Sequence, residues 1–161
     1  MPQLVVHRDA SSMARCLHEY GRMESAGWKA QGGTAIGVDN AQGLFYRDVM
    51  EGFAKTGEAL VYELQLDGAV IGSELYLGRA DMLVGLKTTY DEAFRTMSPG
   101  FLMKYEIIRR IFSDGIFHNV EFYGRVMEWH SKWINEVRNM YHLSVWNRPA
   151  MKIRSVLKRF L

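Results

Sequence analysis

From Leu60 to Leu77 the chain reads as two strands folded back on each other. Leu60–Leu66 alternates, Asp67-Gly68 supplies a two-residue hairpin turn, and Ala69–Leu77 returns. Gly78–Asp81 makes a second turn and Met82–Thr89 a third strand, so the middle of the chain predicts an antiparallel meander. The rest of the fold must be built around that sheet.

Before the meander, Met1–Val6 is a short apolar run that reads as a strand or a ragged start. Asp9, Ala10, Ser11 and Ser12 precede a helical pattern of Met13, Leu17 and Tyr20, with Gly21 as its stop. Met23–Gly43 contains Gly27, Gly32, Gly33, Gly37 and Gly43 without a clean period and reads as a long loop, a kind usually functional or mobile. Leu44, Phe45, Val49 and Phe53 at helical intervals predict a second helix closed by Gly57.

After the meander, the loop Tyr90–Met97 leads into Ser98-Pro99-Gly100. Ser98 as N-cap and Pro99 at the first helical position open a helix whose apolar stripe is Phe101, Tyr105, Ile108 and Phe112, ended by Asp114-Gly115. His118–Tyr123 reads as a strand, Trp129–Val137 as a short helix, Tyr141–Trp146 as a strand and Met151–Leu161 as a basic amphipathic helix. The order predicts an α+β domain, residues 1–161, with one mixed, mostly antiparallel sheet flanked by helices.

Composition narrows the class. A chain of 161 residues, 48% hydrophobic, fits one domain with a core. No apolar run approaches the roughly 18 residues of a membrane span, and the N-terminus lacks a signal-peptide pattern, so a cytoplasmic location is expected. Cys16 is the only cysteine, which excludes an internal disulfide and a multi-cysteine zinc site. A net charge of +2 is too mild to argue for nucleic acid, and no metal is expected.

Three ordered motifs carry a family resemblance. They are Glu24-Ser25-Ala26-Gly27-Trp28-Lys29 with Gly33-Thr34, Lys87-Thr88-Thr89-Tyr90-Asp91 followed by Ser98-Pro99-Gly100, and Glu121-Phe122-Tyr123-Gly124 leading to Trp129-His130-Ser131-Lys132-Trp133. Together with the element order they resemble a GNAT-type N-acyltransferase of the CelD/BcsL-like kind, associated with bacterial polysaccharide synthesis and distantly similar to Fem-type transferases. The chain has Glu121 where that family usually has Asp, and Trp129-His130 where it has Tyr-Lys. The GNAT pyrophosphate signature, Gln/Arg-x-x-Gly-x-Gly/Ala, is absent. The resemblance implies an acyl-CoA co-substrate, most simply acetyl-CoA, and an acceptor that is a small-molecule amine or a sugar precursor. It also implies a strand Met82–Thr89 splaying from the strand at Val120, with the pantetheine arm between them. Family members often carry a related half ahead of this one, so a sister domain or a homodimer is a further expectation.

The residues suit those roles. A helix N-terminus offers free N–H groups and a positive dipole end to a pyrophosphate, so Ser98, Pro99, Gly100, Phe101 and Leu102, with Thr89 at the strand end, are the candidate cofactor residues. Gly100 lacks the Cβ that would keep a phosphate from the backbone. Asp91 is a candidate proton acceptor, or a turn-capping aspartate; Glu121 is a second candidate base, or the partner of Arg125. His130 is a candidate proton shuttle, since an unperturbed imidazole changes charge near neutral pH, or is a helical histidine without chemistry. Trp28, Lys29 and Tyr90 are candidate acceptor contacts, Trp28 reading equally as a core anchor. The helix 151–161 is a candidate for peripheral membrane contact. Two other classes stay open: a catalytically silent GNAT-like domain binding a partner or nucleotide, and a transferase using aminoacyl-tRNA.

Overall fold

A computed structural model describes residues 1–27, 36–37, 40–141 and 143–145. The elements run β1 (Gln3–His7), α1 (Ala10–Ala26), α2 (Ala41–Ala54), β2 (Ala59–Leu66), β3 (Ala69–Arg79), β4 (Met82–Tyr90), α3 (Pro99–Asp114) and β5 (Asn119–Phe122), with 3-10 helices at Glu92–Met97 and Glu128–Lys132. All the strands join one sheet in the order β1-β2-β3-β4-β5. Every pair is antiparallel except β4–β5, which is parallel. The hairpin turn takes positive φ at both Asp67 and Gly68, the backbone a two-residue turn needs to match strand twist. The α+β class, the mixed sheet and the meander are as the sequence predicts.

Residues Met1–Gly124 form one unit, which holds the sheet and α1, α2 and α3; the second unit begins at Arg125. Alternation along the strands divides the first unit's core in two. Ala59, Val61 and Leu75 face Met13, Cys16, Leu17 and Tyr20 of α1 and Met50 and Ala54 of α2. Leu60, Tyr62, Leu64, Ile71 and Tyr76 face Met103, Ile107 and Ile111 of α3. Both sheet faces are therefore covered by helices.

Several boundaries differ from the sequence reading. Gly21 does not stop α1, which runs on to Ala26; a Cβ there would lie 2.8 Å from the Ile36 carbonyl oxygen, so glycine serves a close approach. The loop expected from Met23 is shorter for that reason. At its other end α2 starts at Ala41, because the Asn40 side chain accepts the Gly43 N–H at 2.7 Å.

The α1 stripe Met13, Leu17 and Tyr20 is buried as spacing predicts, but the stripes read on α2 and α3 are not the buried ones. On α2, Leu44, Phe45 and Phe53 are exposed and Met50 and Ala54 are inside. On α3, Phe101, Tyr105 and Phe112 are 53%, 50% and 75% exposed, while Met103, Ile107 and Ile111 are buried. Fully burying such a side chain stabilises by about 1.5–3 kcal/mol, and the inward stripe carries Lys104 with it.

In the second unit, the 3-10 helix Glu128–Lys132 stands where spacing predicts a longer helix from Trp129 to Val137. Tyr141, Leu143 and Val145 are strongly exposed and form no strand, for no neighbouring ladder covers them. Trp28, Lys29, His142, Trp146 and the helix expected at 151–161 lie outside the described residues. Among the described residues no helix is long and apolar enough to cross a membrane.

Candidate active site

The parallel pair β4–β5 makes a fork. Its ladder runs from Met82–Asn119 to Gly85–Phe122, closed by the Tyr123 N–H on the Gly85 carbonyl at 3.2 Å. β4 continues to Tyr90 beyond the end of that ladder. A bulge falls at the parting: Gly85 pairs with Tyr76 and Lys87 with Leu75, leaving Leu86 as the extra residue. Bulges bend the strand that carries them, and this one bends β4 where β5 leaves it.

The start of α3 lies at the open end of the fork. Tyr90 ends β4, and a Cβ on Gly100 would sit 3.4 Å from Cδ1 of the Tyr90 ring. Ser98 occupies the capping position but adopts φ 50°, a left-handed backbone, and its side chain makes no capping hydrogen bond. Its carbonyl instead accepts the N–H groups of Phe101 and Leu102 at 3.0 and 3.1 Å. The first-turn amide of Gly100 therefore receives nothing from the cap. Pro99 is buried at the first helical position, Leu102 is half-buried against the α3-side core, and Thr89 is buried.

Arg95, Ser98 and Gly100 share the spacing of the signature whose strict form the chain lacks. Ser98 stands at its first glycine and adopts the positive φ that glycine favours there. Arg95 is exposed in the 3-10 helix just before α3 and was not among the residues singled out from sequence; that spacing is the signal for it.

The two candidate carboxylates differ in their surroundings. Asp91 caps the 3-10 helix, accepting the Ala93 N–H at 3.0 Å, and lies 3.9 Å from Arg22 of α1. Glu121 is half-buried on β5 opposite Val84, one pair from the end of the ladder. Val120 and Phe122 join the α3 side, so alternation turns Glu121 to the face covered by α1 and α2. His130 belongs to the second unit. There it is buried, its Nδ1 accepts the Met127 N–H at 2.8 Å, and its ring stacks on Trp129 at 3.7 Å.

Two buried polar clusters flank the fork, and neither shows as a cluster in the sequence. On the α3 side, Lys104 pairs with Glu74 and donates to the Tyr76 hydroxyl at 2.7 Å. Tyr76 donates to Glu74 at 2.6 Å, and Thr88 does so at 3.3 Å. Burial first, and then Glu74, push the Tyr76 phenol well above its ordinary pKa. On the other side, Glu24 accepts Lys87 at 3.0 Å, the Tyr20 hydroxyl at 3.3 Å and the Ile36 N–H at 2.7 Å. This pair joins the first two of the motifs quoted above. The detectable signal was a charge at a core position, such as Glu74 in Ile71–Tyr76 or Lys104 beside Met103.

A third cluster lies at the far edge of the sheet. His7, Cys16 and Glu63 bring their donor atoms within 4.8 Å of one another. The Arg15 guanidinium already sits on all three, at 3.0 Å from His7, 3.1 Å from Cys16 and 2.9 Å from Glu63. Burial, then Glu63, push the Cys16 thiol up to about 12, so it keeps its proton at neutral pH.

Solved structures share this fold. A possible acetyltransferase from Clostridium difficile 630 superposes with a TM-score of 0.64 at 9% identity, covering 91% of this chain and 99% of that one. An aminoglycoside acetyltransferase from an uncultured soil metagenomic sample, in complex with trehalose, gives 0.61 at 8% identity over 91% and 97%. AAC(6')-Iy with the bisubstrate analogue CoA-S-monomethyl-acetylneamine gives 0.59 at 9% identity over 91% and 99%. No curated protein matches the chain. The family described as acetyltransferase (GNAT) domain matches residues 2–131, most of the chain. The chain belongs to the GNAT acetyltransferase domain family.

Proposed function

We propose that the chain is an acetyl-CoA-dependent N-acetyltransferase acting on an amine of a small, sugar-like molecule. The observation that carries this is the fork: β4 and β5 part at Gly85–Phe122, and the start of α3 stands at the open end. The residues present fit an anionic carrier with an extended arm. The Gly100 amide, the dipole of α3 and the exposed Arg95 offer positive charge to phosphates. The edge of β4 beyond the ladder offers a length of strand to the arm. Acetyl-CoA, when bound, supplies the activated acyl group. Glu121, on the opposite sheet face from Phe122, takes the proton that the acceptor nitrogen sheds, and Asp91 holds the entry to α3 in place through its cap and Arg22.

The acceptor class draws support from the aminoglycoside acetyltransferases among the structural neighbours. The CelD/BcsL-like subtype, and with it a polysaccharide precursor, draws support from the motif residues Glu24 and Lys87, the first buried and the second half-buried, which meet as an ion pair.

Thermal melting with acetyl-CoA and with CoA tests the reading. Ligand at about 100 times its dissociation constant stabilises by roughly 2.7 kcal/mol, a shift of several degrees. The shift is expected in wild type and lost in Gly100→Val, whose branched side chain would press on Tyr90. Release of free thiol with aminosugars then identifies acceptors. No shift with either ligand, in a folded protein, would overturn the reading in favour of a silent binding domain or a tRNA-dependent donor.

A further inference from the structure

Among the described residues, Lys104 has more hydrogen-bond donors than acceptors to meet them. An ammonium carries three N–H bonds. Glu74 takes one and the Tyr76 hydroxyl another, and among the described residues the third meets no oxygen or nitrogen acceptor. What lies there is an aromatic face: the Phe122 ring, its centroid 4.7 Å from Nζ. Phe122 is the β5 residue paired with Gly85, where the ladder ends. Gly85 keeps that corner thin, since a Cβ on it would stand 3.1 Å from the Tyr76 ring and 3.6 Å from Phe122. A buried cation, 4% exposed, is thus held with a spare donor at the closed end of the fork.

We propose that Lys104 donates a hydrogen bond to the leaving sulfur of the acyl donor and stabilises its negative charge; this rests on the acyl-CoA reading above. Reach supports it. From Gly85 to Tyr90 β4 spans roughly 17 Å at about 3.4 Å per residue, and an extended pantetheine arm is of similar length. A carrier held by its phosphates at the start of α3 therefore brings its sulfur to the closed end. In the transfer, the acceptor nitrogen forms the N–C bond and the C–S bond breaks with its electron pair going to sulfur. The proton from nitrogen goes to Glu121. Lys104 keeps its own protons, and the thiolate takes one from solvent after release. Among the contacts described, the titratable groups facing Lys104 are Glu74 and Tyr76 of β3; β4 contributes the Thr88 hydroxyl on Glu74, and β5 the Phe122 ring.

The test titrates the thiol of CoA bound to the full chain, by its ultraviolet thiolate absorbance, with desulfo-CoA as the thiol-free control. Binding itself is read separately by thermal shift. The bound thiol is expected to ionise about one pH unit or more below that of free CoA, as a group beside an opposite charge does. Lys104→Met should restore the free value. That variant strands Glu74, so Lys104→Met combined with Glu74→Gln provides a neutral version that keeps the Tyr76 and Thr88 partners. CoA bound to wild type with an unshifted thiol, or with the same shift in both variants, would overturn the role of Lys104 and leave the acyl-CoA reading standing. Failure of wild type to bind CoA would overturn both.

Discussion

Glu63 keeps a full charge in the interior of the sheet because Arg15 meets it there. It is 0% exposed, and its oxygens take Arg15 at 2.9 Å, Gln65 at 3.0 Å and His7 at 3.1 Å. Burial pushes its pKa up, but Arg15 and Gln65 outweigh burial and hold the carboxyl below its ordinary value. A group with a depressed folded pKa contributes stability that is fully present above its unfolded value and lost as pH falls through the folded one. Arg15→Met removes the main lowering influence and leaves burial in control. The variant should lose about 1–3 kcal/mol at neutral pH and unfold in acid at a higher pH than wild type. Circular dichroism across an acid titration reads the midpoint, and an unchanged midpoint would refute the account.

Glycine acts at the level of the element, where local propensity and tertiary contact disagree. Gly43 lies in the first turn of α2, and a Cβ there would stand 1.8 Å from the Gly37 carbonyl oxygen. Gly52, later in the same helix, has nothing within 4 Å. Alanine at either site gains up to about 1 kcal/mol of helix propensity. Gly52→Ala should therefore stabilise, whereas Gly43→Ala should lose about 1–3 kcal/mol by forcing backbone apart. Urea melts of the two variants, changing in opposite directions, check the pair; equal gains would mean that α2 and Gly37 do not approach closely. The same conflict explains which elements were legible. The meander was readable because its strands are joined by two short turns, each marked locally in the sequence. The stripe of α1 was readable too, but those of α2 and α3 were not: both helices carry apolar residues on two faces, and spacing cannot tell which one the sheet covers. Gly21 read as a stop because its contact, Ile36, lies beyond the helix it belongs to.

For the whole molecule, the ends of the candidate site were readable and its walls were not. Ser98, Pro99 and Gly100 announce a helix start locally, and the three motifs announce the family. The pairs Glu74–Lys104 and Glu24–Lys87 join residues 30 and 63 positions apart, and nothing local marks them as partners. Sequence left both Asp91 and Glu121 as candidates for the base, and their surroundings in the fold differ. The Asp91 carboxylate is engaged as a cap on Ala93 and faces Arg22, a role that Asn fills well at a cap. Glu121 stands beside the closed end of the fork, on the face opposite Phe122. Once an acceptor is in hand, Glu121→Gln should lower kcat by about 100-fold or more without weakening CoA binding, the usual size of a lost general base. Asp91→Asn should stay within about tenfold of wild type. The pH profile separates the outcomes, because loss of the base removes the rising alkaline-going limb, whereas a displaced α3 start weakens CoA binding and leaves that limb in place. If Glu121→Gln kept both its rate and its limb while Asp91→Asn lost them, the proton would leave by way of Asp91, and the cap would be the secondary role.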